Sequence, residues 1–185
     1  MKIKSLGMLT VATLLVSGMN ANANALFDIY AGGTYGYGGY SLFMDDDKKS
    51  NSSLQSYGAV LGMDIPFVRL ELEYNYVDAD EMTLNLGLVN AYFKLPVPVV
   101  KPYIGAGIGM TFDSRYKPEN MARIDIEDDT IAYQGMLGVT LDLPVVPFNI
   151  DIEGRVLVVP ELYKIGNENI DLFQYEGRAK LRFVF

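Results

Sequence analysis

Apolar and polar residues alternate along most of this chain, in blocks of roughly ten residues, the period of a strand rather than a helix. Successive side chains of a strand point to opposite faces, so each block reads as a strand with two unlike sides. The third block is clearest: Val68, Leu70, Leu72, Tyr74 and Tyr76 oppose Arg69, Glu71, Glu73 and Asn75. The first, 26–38, sets Phe27, Ile29, Ala31, Gly33, Tyr35 and Tyr37 against Asp28, Tyr30, Gly32, Thr34 and Gly36. The second, 54–63, sets Tyr57, Ala59, Leu61 and Met63 against Ser56, Gly58, Val60 and Gly62. The fourth, 83–94, gives Leu84, Leu86 and Leu88 against Asn85, Gly87 and Val89. Its second half falls out of phase, because Asn90 lands on the apolar side; a bulge or a water-exposed position would each account for that.

Four more blocks follow. Ile104, Ala106, Ile108, Met110 and Phe112 oppose Gly105, Gly107, Gly109 and Thr111. Ile131, Tyr133, Leu137, Val139 and Leu141 oppose Gln134, Gly138 and Thr140. Ile150, Ile152, Val156 and Val158 oppose Asp151, Glu153 and Arg155. The last block, 173–185, has Phe173, Tyr175, Gly177, Ala179, Leu181, Phe183 and Phe185 on one side and Gln174, Glu176, Arg178, Lys180 and Arg182 on the other. Short connections with Pro near 65, 97 and 146 alternate with longer polar ones, 41–53, near 78–81, 114–129 and 160–170. Strands of about ten residues suit a tilted membrane strand. An even strand count with turns at one end and loops at the other predicts an all-β protein, an eight-stranded antiparallel up-and-down transmembrane β-barrel.

The two ends of the chain fit that expectation. Lys2 and Lys4, the apolar stretch Leu6 to Val16 and the sequence Ala21-Asn22-Ala23-Asn24-Ala25 form a secretory signal, cleaved after Ala23 or Ala25. The expected organisation is therefore a signal over 1–25 and one barrel domain over 26–185. The final strand resembles the C-terminal assembly signal of bacterial outer-membrane barrels, a terminal aromatic preceded by apolar or small residues at every second position: Gly177, Ala179, Leu181, Phe183 and Phe185. The stretch Lys101-Pro102-Tyr103-Ile104-Gly105-Ala106-Gly107-Ile108-Gly109, preceded by Asn90-Ala91-Tyr92, is similar to the fifth-strand motif of the OmpA/OmpX and opacity-type outer-membrane barrels. That resemblance spans the mature chain and implies outer-membrane localisation. It also implies contact with lipid and lipopolysaccharide, delivery by periplasmic chaperones and insertion by the barrel assembly machinery. The expected organisation includes no counterpart of the peptidoglycan-binding domain that follows the barrel in OmpA.

Periodicity alone does not choose the lipid side. A soluble lipocalin-like barrel would turn its apolar face inward. The terminal aromatic strand, the small Gly-rich second face and aromatic residues near strand ends favour the inverted arrangement. Those aromatics are Tyr35, Tyr37, Tyr74, Tyr76, Tyr92, Phe93, Phe112, Tyr133, Phe183 and Phe185. The interior would then hold Arg69, Glu71, Glu73, Asp151, Glu153, Arg155, Glu176, Arg178, Lys180 and Arg182, with Asp28 beside the last strand. Buried charges need partners, so Asp151 and Glu153 should face Arg178, Lys180 and Arg182, closing the interior.

Composition removes other functions. Loss of Lys2 and Lys4 with the signal takes the formal charge from −8 to −10, so charge alone draws no nucleic acid. There is no Cys for a disulfide and no His. The enzymes among outer-membrane barrels rely on His by resemblance, and no other side chain here is a natural base at neutral pH, so a non-enzyme is expected. Gly105-x-Gly107-x-Gly109 lies within a strand and is no phosphate loop. No transition-metal ligand set and no cofactor are expected. Asp45-Asp46-Asp47 and Asp125 to Asp129 read either as Ca²⁺ or lipopolysaccharide bridges or as solvated loop charges. Leu42, Phe43 and Met44 read either as a loop contact for a host surface or as an extension of the first strand. The expected role is structural or surface-interacting: envelope integrity, adhesion or immune exposure. A narrow channel or hydrophobic-ligand conduit is the alternative.

Overall fold

The computed structural model describes residues 27–44, 47–79, 82–116, 124–125, 130–142, 146–165 and 168–185. Among them the regular elements are all strands: β1 Asp28–Met44, β2 Asp47–Asp64, β3 Val68–Ala79, β4 Met82–Lys94, β5 Val100–Tyr116, β6 Ile131–Asp142, β7 Phe148–Ile165 and β8 Glu168–Val184. A two-residue ladder, Ile124–Asp125, lies against Arg115 and Tyr116 at the far end of β5. Each strand pairs antiparallel with its neighbours in the chain, and β1 pairs with β8. The sheet closes with no free edge around its middle, and Phe185 N–H donates to Ile29 O at 2.9 Å below the seam.

The register fixes the shape. Stepping between directly paired residues runs Ala31, Leu61, Leu72, Val89, Ile108, Tyr133, Val158, Phe173 and back to β1 at Ser41. One circuit is therefore displaced by ten residues. With a rise of about 3.3 Å and a strand spacing of about 4.8 Å, that shear tilts the strands by roughly 40° and gives a radius of about 8 Å. Such an interior is filled by side chains.

Three of the predicted loops are shorter than the polar pattern suggests. β1 continues to Met44 and β2 starts at Asp47; β7 reaches Ile165 and β8 starts at Glu168. Polar residues there are compatible with strands because the two hairpins keep their own ladders, from Leu42↔Ser50 to Met44↔Asp47 and from Tyr163↔Ile170 to Ile165↔Glu168. β3 and β4 likewise run to Ala79 and from Met82. The pairing irregularities, at Leu42/Phe43, Thr83/Asn85 and Val159/Tyr163, all sit at this loop end. β4 has no bulge at Asn90, since its pairing with β3 is continuous from Phe93 to Met82. Asp45, Asp46, Asp80, Glu81, residues 126–129 and the whole signal with its cleavage sites lie outside the described residues.

The outer face between the strand ends is apolar. Leu61, Leu70, Leu72, Val89, Ile104, Ile108, Leu137, Ile152 and Leu181 are exposed on it, and no charged side chain shares that band among the described residues. A belt of exposed Tyr35, Tyr37, Tyr57, Tyr74, Phe112, Tyr133, Phe173 and Tyr175 marks the loop side. The Tyr74 and Tyr57 hydroxyls donate to Asn85 Oδ1 at 2.7 Å and Gln55 Oε1 at 2.8 Å. A belt of Phe27, Phe67, Phe93, Phe148, Phe183 and Phe185 marks the turn side. Tyr bridges an apolar and a wet layer, as at a membrane interface. Along a strand tilted by about 40° the eight residue steps from Tyr175 to Phe183 span roughly 20 Å, close to the height of a lipid-facing band. Tyr92 does not join a belt: it points inward and is buried, because β4 presents its even-numbered residues to the interior.

Candidate functional site

The interior divides into two tiers. The tier near the turns is charged. Asp64, Glu71, Glu73, Asp151, Glu153 and Glu176 meet Arg69, Lys94, Arg155, Arg178, Lys180 and Arg182, six acids against six bases. All are buried except Asp64, which is half-buried at the rim. The protein's net negative charge therefore lies outside this tier.

Asp151 is the turn-side node. Arg182 grips both its oxygens, Nε to Oδ2 at 2.8 Å and Nη2 to Oδ1 at 3.0 Å. Arg69 Nη1 adds a contact at 3.1 Å, and the Thr140 hydroxyl donates to Oδ1 at 2.6 Å. Asp64 touches both arginines at 3.4 Å and pairs with Lys94. Arg178 is the second node: Nη1 lies 2.6 Å from Glu73 Oε1, and Nε and Nη2 lie 2.8 and 2.5 Å from Glu153 Oε1. Lys180 crosses the barrel to Glu71, 2.7 Å away, although Asp151 is its direct neighbour in the ladder. Arg155 Nη2 lies 2.7 Å from Glu176 Oε1. Charge-assisted pairs of this length offset the cost of removing ions from water.

Neutral groups complete the tier. Tyr30 and Tyr92 donate to Glu71 at 2.6 and 2.9 Å, and Tyr103 donates to Glu153 at 2.9 Å. Asn90 Nδ2 donates to Glu73 Oε2 at 2.8 Å, and Gln134 Nε2 donates to Asn90 Oδ1 at 2.6 Å. Arg69 lies within 5.3 to 5.8 Å of the rings of Tyr30, Tyr92 and Tyr103, a cation–π enclosure.

Of the residues the sequence points to, the structure brings together Arg69, Glu71, Glu73, Asp151, Glu153, Arg155, Glu176, Arg178, Lys180 and Arg182. Asp28 stays outside, exposed at the turn-side rim. Gly177, Ala179, Leu181 and Phe183 of β8, and Phe185 after it, are all exposed. Sequence reasoning overlooked Asp64, Lys94, Tyr30, Tyr92, Tyr103, Asn90 and Gln134. The run Asn90, Tyr92, Lys94 at every second position was the available signal, since it puts polar groups on one side of β4. That reading requires Leu84, Leu86 and Leu88 to be interior too, which corrects the phase break expected at Asn90.

Those leucines belong to the second tier, at the loop end. Tyr40, Leu42, Leu54, Val77, Met82, Leu84, Leu86, Leu88, Ala132, Leu157, Val159, Leu162, Ile170 and Leu172 form one buried apolar cluster. Leu42 is thus core rather than a loop contact. Outside the barrel at this level the residues turn polar, with Gln55, Asp78, Asn85 and Asp171. The barrel is inside-out where it would meet lipid, and apolar-in above it.

Glycine on the inner face makes room for large neighbours. A β-carbon at Gly105 would collide with the Tyr92 ring and lie 3.1 Å from Met136 Cε. Gly105→Val should displace Tyr92 from Glu71 and cost about 1–3 kcal/mol, read as a lower urea midpoint for the refolded barrel.

No protein-family model matches the chain, and no curated protein matches it in sequence. Solved structures do match its fold. Neisserial surface protein A overlays with a TM-score of 0.62 at 16% identity, over 87% of this chain and 98% of that chain. The N-terminal β-barrel domain of Pseudomonas aeruginosa OprF gives 0.49 at 14% identity, over 82% and 97%. The attachment invasion locus protein Ail of Yersinia pestis gives 0.30 at 14% identity, over 83% and 98%. The chain has the closed antiparallel fold of the small eight-stranded outer-membrane barrels.

Proposed function

We propose that this chain is an integral protein of the bacterial outer membrane with a closed interior, acting through its surface and its loop end. Its duties are structural or surface-interacting: envelope integrity, adhesion or immune exposure. The observation that carries the reading is the pairing of an uncharged lipid-height exterior with an interior whose six acids and six bases are mutually engaged. An open pore would keep such charges hydrated, whereas these side chains are buried. The apolar tier above them leaves no polar path to the loop side among the described residues.

In this reading lipid and lipopolysaccharide surround the two aromatic belts. Periplasmic chaperones and the barrel assembly machinery deal with the chain before insertion, the latter reading Gly177, Ala179, Leu181, Phe183 and Phe185. A host or other surface partner would meet the loop end. No catalytic role is assigned, since the sequence has no imidazole to activate a hydroxyl at neutral pH.

Purified protein in a planar bilayer should give no steady current. A stable, ion-selective conductance would overturn the closed interior and favour the narrow channel. Protease treatment of whole cells, with mass mapping, should cut the loop-end connections and spare the turns near 65, 97 and 146.

A further inference from the structure

Between the charged tier and the apolar tier lie five buried polar atoms that no protein group satisfies among the described residues: Thr34 Oγ1, Ser56 Oγ, Asn75 Nδ2, Arg155 Nε and Gln174 Oε1. Their side chains are at most 7% exposed. They come from five strands yet form one neighbourhood. Arg155 Nη2 donates to Asn75 Oδ1 at 3.2 Å and pairs with Glu176, which accepts from Gln174 Nε2 at 3.0 Å. A β-carbon at Gly58 would fall beside both Thr34 Oγ1 and Asn75 Nδ2. One at Gly36 would fall beside Ser56 Oγ and 2.9 Å from Glu176 Oε1. The two glycines thus keep side-chain bulk out of a spot ringed by donors and acceptors.

Buried polar groups are almost always hydrogen-bonded, and a cluster of unmet ones points to a ligand. Its chemistry follows from the ring. Asn75 Nδ2 and Arg155 Nε can only donate, Gln174 Oε1 can only accept, and the two hydroxyls do either. A cation is opposed by the Arg155 guanidinium, and an anion by Glu176. The balanced charges of the tier below leave nothing to neutralise. We propose that this junction is a built site for ordered water, sealed above by the apolar tier and below by the ion pairs. Each water would find the two to four partners that buried water needs. The site does not depend on which surface role the barrel plays.

Thr34→Val gives a test whose sign is decisive. If the hydroxyl is dry and unmet, replacing it by a methyl of the same shape raises stability. If it holds water, the exchange breaks a hydrogen bond, and the unfolding equilibrium constant in urea should rise about fivefold. Ser56→Ala should shift the same way and stands in should Thr34→Val fail to fold. In wild-type barrel in micelles, magnetisation transfer from water should reach the backbone amides of Thr34 and Ser56. Stabilisation by either substitution, or absence of that transfer, would overturn the proposal. So would stability that rises with chloride at constant ionic strength, which would make the occupant an anion. A bilayer current would overturn the closed interior and with it the seal on this site, whereas stabilisation by either substitution without any current would overturn this proposal alone.

Discussion

Arg178→Met should lower the stability of the folded barrel by about 3–5 kcal/mol, the cost of leaving buried charges without their partner. The size follows from the node Arg178 occupies. It holds Glu73 on β3 and Glu153 on β7, from opposite sides of the barrel, at 2.5 to 2.8 Å. Its removal leaves Glu73 with Asn90, Gln134 and a longer contact to Arg155 at 3.6 Å, and Glu153 with Tyr103. Urea unfolding in lipid vesicles measures the loss, and the shift between folded and heated forms on a gel reports the barrel itself. Unchanged stability and unchanged heat-modifiability would mean that water, not Arg178, neutralises the two carboxylates. Adding Glu153→Gln and Glu73→Gln should recover part of the loss, because a neutral amide no longer needs the guanidinium.

Leu137→Arg should cost about 2–4 kcal/mol in a bilayer, the penalty for a cation near the middle of the lipid face. Leu137 is 68% exposed and sits on the outer face of β6, with Gly154 of β7 and Ile104 of β5 as direct neighbours. It lies between Tyr133 of one belt and the turn end of its strand. For a soluble barrel the same substitution would be a harmless surface charge, within about 0.5 kcal/mol. The comparison therefore separates a membrane exterior from a solvated one. Urea midpoints of both proteins refolded into vesicles give the answer, and equal midpoints would contradict the lipid-facing assignment of this band.

The alternation of side chains carried most of the fold. Val68 to Tyr76 places Arg69, Glu71 and Glu73 on one face, and the structure has them together inside. The same logic failed where polarity itself reverses. In β4 the interior row runs Leu84, Leu86, Leu88, Asn90, Tyr92 and Lys94, so its apolar half looks like a lipid face and its polar half like a defect. A rule that equates apolar with outside breaks at the height where outside becomes water. Asp28 shows another limit: it has the inward parity of β1 but sits at the rim, where parity no longer means burial.

The sequence by itself determined the strands, their number, their up-and-down order and the parity of almost every side chain, because a period of two is a local property of the backbone. It did not determine height or partner. Those depend on the ten-residue shear, which brings residues far apart in sequence to one level. Lys180 illustrates the difference: its ladder neighbour is Asp151, yet its ion pair is with Glu71 across the barrel. Only closure of the sheet decides such pairs, since contacts through the interior join strands that share no hydrogen bonds. Closure also separates the charged tier from the apolar one, because it sets which part of each inward row lies at lipid height.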